Sequence, residues 1–356
     1  MISVYVHIPF CSNICTYCDF AKVYTNNKWI NQYLKELEKE IKKEYKGEKV
    51  KTLYFGGGTP STLNLKQLTY LFDIIKFLKL DKNAEITFEC NLEDITEEKL
   101  KFLKNKVNRL SIGIQSFNPK ILKLLGRNQP NLKNINLAKK YFDNINIDLM
   151  YGFNNITINE FKEDIYKLLK FSIPHISAYN LIIEEHTILN NKKYPQNYDT
   201  TLDKIIKTIL EENGYIHYEI SNYAKRGYES KHNLTYWNND EYYGFGLGAS
   251  GYIKNNRYDN TRSLTKYLQG KYRLNNNIIN NNEKMQNEFI LGLRKINGIN
   301  KQSFLTKYKK DIKSIDIVKK LLKEKKLLET EENIYINPQY LYVSNEILLE
   351  FLTILY

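Results

Sequence analysis

Six times between residues 3 and 182 a short apolar run, rich in β-branched and aromatic residues, is followed by a longer stretch with helical spacing. This alternation limits the fold more than any other feature of the chain. The runs cover 3–8, 51–55, 85–90, 109–115, 144–150 and 175–182, and the helical stretches cover 29–45, 65–80, 97–106, 131–142, 158–171 and 202–213. In the first helical stretch Ile30, Tyr33, Leu34, Leu37 and Ile41 fall on one face, and Gly214 stops the last. Strands that alternate with helices predict a parallel sheet with right-handed crossovers. Six units are two short of an eight-fold barrel. The expectation is therefore an α/β fold, either a partial (β/α)6 barrel or an open doubly wound sheet.

The ends of these runs are polar or glycine-rich. Phe55 leads into Gly56-Gly57-Gly58-Thr59-Pro60, Phe88 into Glu89, Ile114 into Gln115 and Ile147 into Asp148, while the first run enters a cysteine-bearing loop. Sites in such folds sit at the carboxyl ends of the strands. The cysteines, the glycines, Glu89, Gln115 and Asp148 should therefore meet at one mouth.

From residue 215 the pattern breaks. Tyr236, Trp237, Tyr242 and Tyr243 cluster beside Gly244-Phe245-Gly246-Leu247-Gly248, and the asparagines at 275–277 and 280–282 read as a loop or linker. Helical patterning resumes at 283, with Phe289, Ile290 and Leu293 and then 315–328, before strand-like pieces at 334–336 and 341–343. The division expected is a barrel over 1–225, a connecting segment over 226–282, and a small α+β, winged-helix-like C-terminal domain over 283–356. At about 150 residues per domain, 356 residues suit one larger unit and one smaller.

The net charge of +13 comes from 46 Lys and 7 Arg, with no dense Arg/Lys block among aromatics. Nucleic-acid surfaces lean on Arg forks, so the charge reads as a solvated surface with weak attraction for anionic membranes or acidic partners. No apolar run approaches the roughly 18 residues of a membrane span. The start lacks the pattern of a signal peptide, and the expected location is the cytoplasm.

Cysteine usage is more specific. Cys11, Cys15 and Cys18 form C-x3-C-x2-C, and Cys90 stands apart as a small strand residue. Without a secretory start, a disulfide framework is disfavoured, and three clustered thiols read as metal ligation. Soft thiolates at this spacing suit zinc or an iron–sulfur cluster. Zinc wants a fourth ligand, which a distant His or Cys90 would have to supply. Three thiolates would leave one iron of a [4Fe–4S] cluster open.

The C-x3-C-x2-C loop after the first strand and the Gly-rich turn after the second resemble the radical S-adenosylmethionine (SAM) superfamily. Several stretches resemble, more narrowly, the haem-chaperone (HemW-like) branch of the oxygen-independent coproporphyrinogen III oxidase family. They include Tyr5-Val6-His7-Ile8-Pro9-Phe10-Cys11, Tyr17-Cys18-Asp19-Phe20, Arg109-Leu110-Ser111-Ile112-Gly113-Ile114-Gln115, Leu125-Gly126-Arg127 and His232-Asn233-Leu234-Thr235-Tyr236-Trp237. The resemblance implies that Cys11, Cys15 and Cys18 hold a [4Fe–4S] cluster whose open iron chelates SAM. An electron from the cluster then cleaves the sulfonium to give methionine and a 5′-deoxyadenosyl radical. It implies further that Tyr5 and Tyr17 flank cluster and SAM, and that backbone at Gly57, Gly58 and Thr59 receives the methionine end. Glu89, Gln115, Arg127 and Asp148 would hold its amino group, the ribose hydroxyls and the carboxylate.

Two departures separate the branches. The oxidase branch has a fourth cysteine where this chain has Phe20, and a substantial extension before its first strand. His232, Tyr236 and Trp237 stand where the chaperone branch is associated with haem, and offer an imidazole and two aromatic faces. The expected role is binding haem as cargo and delivering it to acceptor proteins, with an electron donor as a further partner. The alternative is SAM-dependent decarboxylation of coproporphyrinogen III. Leu92, residues 152–155, Glu185-His186 and Arg226 depart from Pro and Gly positions of the relatives, in loops rather than at the proposed ligands.

Overall fold

The computed structural model describes residues 1–154, 156–195 and 200–352; Asn155 and the last four residues of the expected C-terminal domain lie outside it. Strands β1 (Ile2–Ile8), β2 (Val50–Gly57), β3 (Leu80–Asn91), β4 (Arg109–Gln115), β5 (Ile145–Tyr151) and β6 (His175–Asn180) lie side by side in chain order. Every neighbouring pair is parallel. Strictly sequential order leaves no point at which the winding reverses. Of the two architectures expected, the chain therefore adopts the partial barrel, with right-handed crossovers carrying the helices along one face.

The strands form where they do because the two faces of each want different surroundings. Phe55, Phe88, Leu110, Ile112, Ile147 and Ile176 join the core that also holds Leu68, Leu71, Leu100, Ile135, Ile165 and Leu168 of the helices. Residues between them point the other way, as the period of two requires, and these are polar: Glu89, Arg109, Ser111, Gln115, Asn146, Asp148 and Ser177 line the barrel interior. Side-chain caps start the helices. Asn64 with Gln67, and Thr157 with Glu160, close capping boxes on Leu65–Ile75 and Ile158–Leu169.

The sheet extends past both ends of the barrel wall. β7 (Ile216–Glu219) and β8 (Asn222–Ala224) form an antiparallel hairpin on β6. On the other edge β9 (Tyr242–Phe245) runs parallel to β1, followed by the antiparallel β10 (Ser250–Ile253), β11 (Asn256–Asn260) and β12 (Arg273–Ile278). The asparagine run is therefore no linker. Asn275, Asn276 and Asn277 pair with Asp259, Tyr258 and Arg257, and Asn280 caps helix Asn281–Gly292 in a box with Glu283. At a sheet edge the backbone ladder holds a strand that apolar alternation would not reveal.

One buried carboxylate ties this extension to the barrel. Glu40, on helix Asn27–Glu44, is fully buried. It accepts from the Gly246 N–H (2.8 Å), Asn260 Nδ2 (2.6 Å) and the Tyr267 hydroxyl (2.7 Å), and Arg273 Nη1 lies 3.2 Å away.

The C-terminal region has its own core, built on Met285, Phe289, Phe304, Val318, Leu321 and Ile334. Helix Asn281–Gly292, strand Ile299–Asn300, helices Lys301–Tyr308 and Asp316–Lys323, and strands Leu327–Glu329 and Asn333–Ile336 follow in the order of a winged helix. In the small sheet the last strand lies between the other two. Residues 341–343, expected as a strand, belong instead to the 3-10 helix Pro338–Val343, because Asn337 caps it and Pro338 opens it. No helix among the described residues is long and apolar enough to cross a membrane.

Replacing Glu40 by Ala would strand the Asn260, Tyr267 and Gly246 donors beside Arg273. Glu40→Ala should cost roughly 3–5 kcal/mol, as breaking a buried charge network does, read as a lower urea midpoint.

Candidate functional site

The cysteine loop is pinned at its base and at its tip. Phe10–Cys11 pairs with Val23–Tyr24. At the tip the Thr16 N–H donates to Leu125 O (3.1 Å), its hydroxyl to Leu124 O (2.8 Å), and the Asn13 amide to Gly126 O. These acceptors end helix Pro119–Leu125, where Gly126 takes the left-handed conformation at φ 69°. The same turn delivers Arg127, whose Nη1 lies 3.6 Å from Cys15 Sγ. Burial holds the Cys11 thiol up to about 12 against an opposing bond from the Thr59 hydroxyl, and burial likewise raises Cys18.

Cys11, Cys15 and Cys18 face a cavity of about 340 Å³ that runs into the barrel. Tyr17, Gly57, Gly58, Thr59, Glu89, Gln115, Arg127 and Asp148 line it too, so these expected site residues do converge. Gly57 has φ 116°, and a Cβ there would meet the His7 ring at 2.5 Å; at Gly58 it would meet Pro9 carbon at 2.7 Å and Cys11 Sγ at 2.9 Å. Both positions need glycine for close approach. The three N–H groups of this turn are committed: Gly57 to Glu89 Oε2 (3.1 Å), Gly58 to Ile8 O and Thr59 to Phe10 O (both 2.9 Å). What the turn can offer a ligand is carbonyl oxygen.

Glu89 also accepts from the Tyr54 hydroxyl at 2.8 Å. Its carboxyl is raised to about 7, first by burial, with Asp148 adding to the rise and the Tyr54 bond opposing it. Asp148 is raised by burial as well, and accepts from Asn146 Nδ2 at 2.8 Å. Arg127 Nη2 donates to Asn91 Oδ1 (2.7 Å) and Gly113 O (3.0 Å). Gln115 sits at φ 71°, where the β4–β5 register slips between Gly113 and Gln115. A non-glycine residue in that region is strained, and here the slip places the end of β4 against the cavity.

A second cavity, of about 510 Å³, opens beside the first, and Phe20, Tyr54, Gly57, Glu89 and Asn233 line both. Tyr5 lies here rather than against the cysteines, its hydroxyl 3.0 Å from His7 Nδ1. His7 in turn bonds Ala21 O at 2.7 Å and supports the loop. Of the expected haem residues, His232 and Tyr236 line this second cavity and Trp237 lines neither. Residues one helical turn apart share a face, whereas the next residue is rotated away. Trp237 instead lies under the Arg294 guanidinium, 5.8 Å from its ring. His232 is buried, with Nδ1 2.8 Å from the Thr52 hydroxyl and Nε2 2.9 Å from the Tyr236 hydroxyl. Burial lowers its pKa to about 3, so it is neutral.

Tyr54, Asn91, Arg109, Asn146, Ser177 and Asn233 are lining residues that strand ends did not reveal. For all but Asn233, the alternation of inward polar positions along whole strands would have found them.

Three thiols on the loop after the first strand of a six-stranded parallel wall, facing a glycine-rich strand end, are the layout of a radical SAM domain, and the Radical SAM superfamily model matches residues 5–168. The chain is 37% identical to the heme chaperone HemW of Lactococcus lactis, over 98% of this chain and 97% of that protein. It is also 37% identical to the heme chaperone HemW of Bacillus subtilis, over 99% of each. The coproporphyrinogen III oxidase HemN of Escherichia coli superposes with a TM-score of 0.85 at 22% identity, covering 99% of this chain and 90% of that one. The chain therefore belongs to the radical SAM superfamily and, within it, to the HemW family.

Proteins of that superfamily carry a [4Fe–4S] cluster and SAM, and the residues present fit both. Among the described residues no three His, Cys, Asp or Glu side chains close on a single-ion position. Cys11, Cys15 and Cys18 are free thiols that share one cavity, a soft donor set that suits iron and sulfide. A carboxylate at Glu89 and a guanidinium at Arg127 complement an amino-acid zwitterion. Bound there, cluster and SAM supply the one-electron cleavage of a sulfonium. The chain's part is to bind, orient and screen them from water.

Glu89 makes the ligand-free chain pH-sensitive. Unfolded, the carboxyl ionises near 4.5; folded, near 7. The folded state thus gains nothing from Glu89 above that window, and stability falls as pH rises from about 4.5 through about 7. Glu89→Gln should remove the slope and leave the cluster-free protein more stable than wild type at pH 8, by up to roughly 3 kcal/mol, and no more stable at pH 4; melting at the two pH values decides.

Proposed function

We propose that this chain binds haem and delivers it to acceptor proteins, using a radical SAM site that it retains. The observation that carries this is the 37% identity to a heme chaperone across 98% of the chain. Phe20 supports it. It stands where the oxidase branch has its fourth cysteine, is 66% exposed, and lines both cavities. An exposed ring at that junction offers a porphyrin an apolar face rather than a thiol.

In this reading Cys11, Cys15 and Cys18 hold the cluster and Tyr17 covers it. Carbonyls of Gly57, Gly58 and Thr59 meet the methionine ammonium together with Glu89. Arg127 pairs with the carboxylate, and Gln115 and Asp148 take the ribose hydroxyls. Haem occupies the second cavity against Phe20, Tyr236 and Tyr242. For His232 to ligate iron it must release Thr52 or Tyr236. Trp237, the last residue of helix Lys231–Trp237, packs under Arg294 instead of facing the haem. The charge of +13 favours acidic partners for electron and haem transfer, and an anionic membrane surface for weak association.

The test uses anaerobically reconstituted protein given SAM, a reductant and coproporphyrinogen III, with a parallel reaction of haem-loaded protein and an apo-acceptor. Haem should pass to the acceptor, and no decarboxylated porphyrinogen should form. Decarboxylated product in step with 5′-deoxyadenosine would make the chain an oxidase and leave Phe20 no obstacle.

A further inference from the structure

We infer that the floor of the barrel is a receptor for a carboxylate of the cargo, a porphyrin propionate, with Arg109 as its anchor; this rests on the haem reading above. Arg109 opens β4 at the opposite end from Gln115. Its side chain is 2% exposed, among the largest fully buried in the protein, and lines the first cavity. Yet it forms no hydrogen bond or ion pair with any described residue, and its Nε is buried without a partner. Thr87, paired with it across the β3–β4 register, also has a buried hydroxyl without a partner.

The polar groups around this floor are spent on one another. Asn146 Nδ2 donates to Ser111 and Asp148 (both 2.8 Å), and Asn146 Oδ1 bonds His175 Nδ1 (2.6 Å) and Ser177 (3.0 Å). Glu89, the other carboxylate lining the cavity, is held by Tyr54 and the Gly57 N–H. A buried guanidinium is costly unless an acceptor reaches it, and its planar fork matches a carboxylate with two parallel bonds. Glu89 and Asp148 act on Arg109 through charge alone, and no described residue gives its side chain a hydrogen-bond acceptor, which leaves that place to a ligand carboxylate.

Two carboxylates are candidates: that of SAM and that of a tetrapyrrole. Arg127 stands beside Cys15 at the cluster end and is the cation placed for the first. Arg127 meets β4 near its carboxyl end, at Gly113 O, whereas Arg109 lies at the other end of β4, where a side arm can enter from the second cavity past Tyr54 and Asn233, which line both. The macrocycle stays in the larger cavity and only its propionate reaches the floor.

The test titrates the SAM-loaded, cluster-bearing protein with haem and with haem dimethyl ester, whose propionates carry no charge. Wild type should favour haem by at least about tenfold, the worth of a charge-assisted hydrogen bond. Arg109→Met should bind acid and ester alike, and Arg109→Lys should keep part of the preference. Arg262 lines the second cavity with its guanidinium 3.3 Å from Asp19 Oδ1, and Arg262→Gln should keep the preference whole. Equal binding by wild type, or a preference that survives Arg109→Met or disappears with Arg262→Gln, overturns the proposal and leaves haem binding standing. Wild type that binds neither compound removes the haem reading as well.

Discussion

The wall of six parallel strands has two chemically opposite faces, and the rest of the molecule depends on that opposition. Outward, Phe55, Phe88, Leu110, Ile112, Ile147 and Ile176 bury apolar surface against the helices, which is what holds the sheet curved and closed on that side. Inward, the same strands present Glu89, Arg109, Ser111, Asn146, Asp148 and Ser177. An interior this polar cannot collapse into layers of branched side chains as in a full eight-stranded barrel. It stays open as a cavity, and its carboxylates shift upward in pKa because burial penalises their charge. Fold stability is thus generated outside the wall and binding chemistry inside it.

That division explains what was legible in the sequence. Apolar runs and helical spacing are records of the outward face, and they placed β4 over its observed span, 109–115, and the other five barrel strands within a few residues, except that β3 begins five residues earlier. Strand ends placed Glu89, Gln115 and Asp148, because a polar residue just after an apolar run has one direction to go. Interior positions deeper in the strands were hidden: Arg109 and Asn146 look like ordinary interruptions of a strand until the register aligns them. The asparagine run misled because polar composition says nothing about a backbone ladder, and Asn275 to Asn277 are held by theirs. Trp237 was grouped with His232 by adjacency in sequence, which a helix does not preserve in space.

The cysteine loop shows how a short excursion becomes a defined site. Its spacing alone leaves the three thiols free to point anywhere. The contacts of Thr16 and Asn13 with the end of helix Pro119–Leu125 hold the loop over the cavity. They also set Arg127 beside Cys15, because the glycine that ends that helix is followed at once by the arginine. One helix terminus therefore orders the cysteine loop and supplies the cation next to it. A change at Gly126 would reach both at the same time.

Glu89 is the point at which the two cavities communicate. It lines both, one oxygen accepts from Tyr54 and the other from the Gly57 N–H, and both of those residues line both cavities as well. Tyr54 stacks on His232 at 5.0 Å and on Tyr5 at 6.1 Å, so the carboxylate is linked through one ring to the imidazole of the second cavity. A carboxyl poised near neutrality gains or loses its proton with little cost, and a cationic group arriving at the Gly57 turn favours the ionised form. Ionisation strengthens the bonds from Tyr54 and Gly57, and Tyr54 is the ring against which His232 packs. The side chains of Tyr54 and Glu89 and the Gly57 turn thus belong to both cavities at once, so a ligand in either meets groups that also face the other.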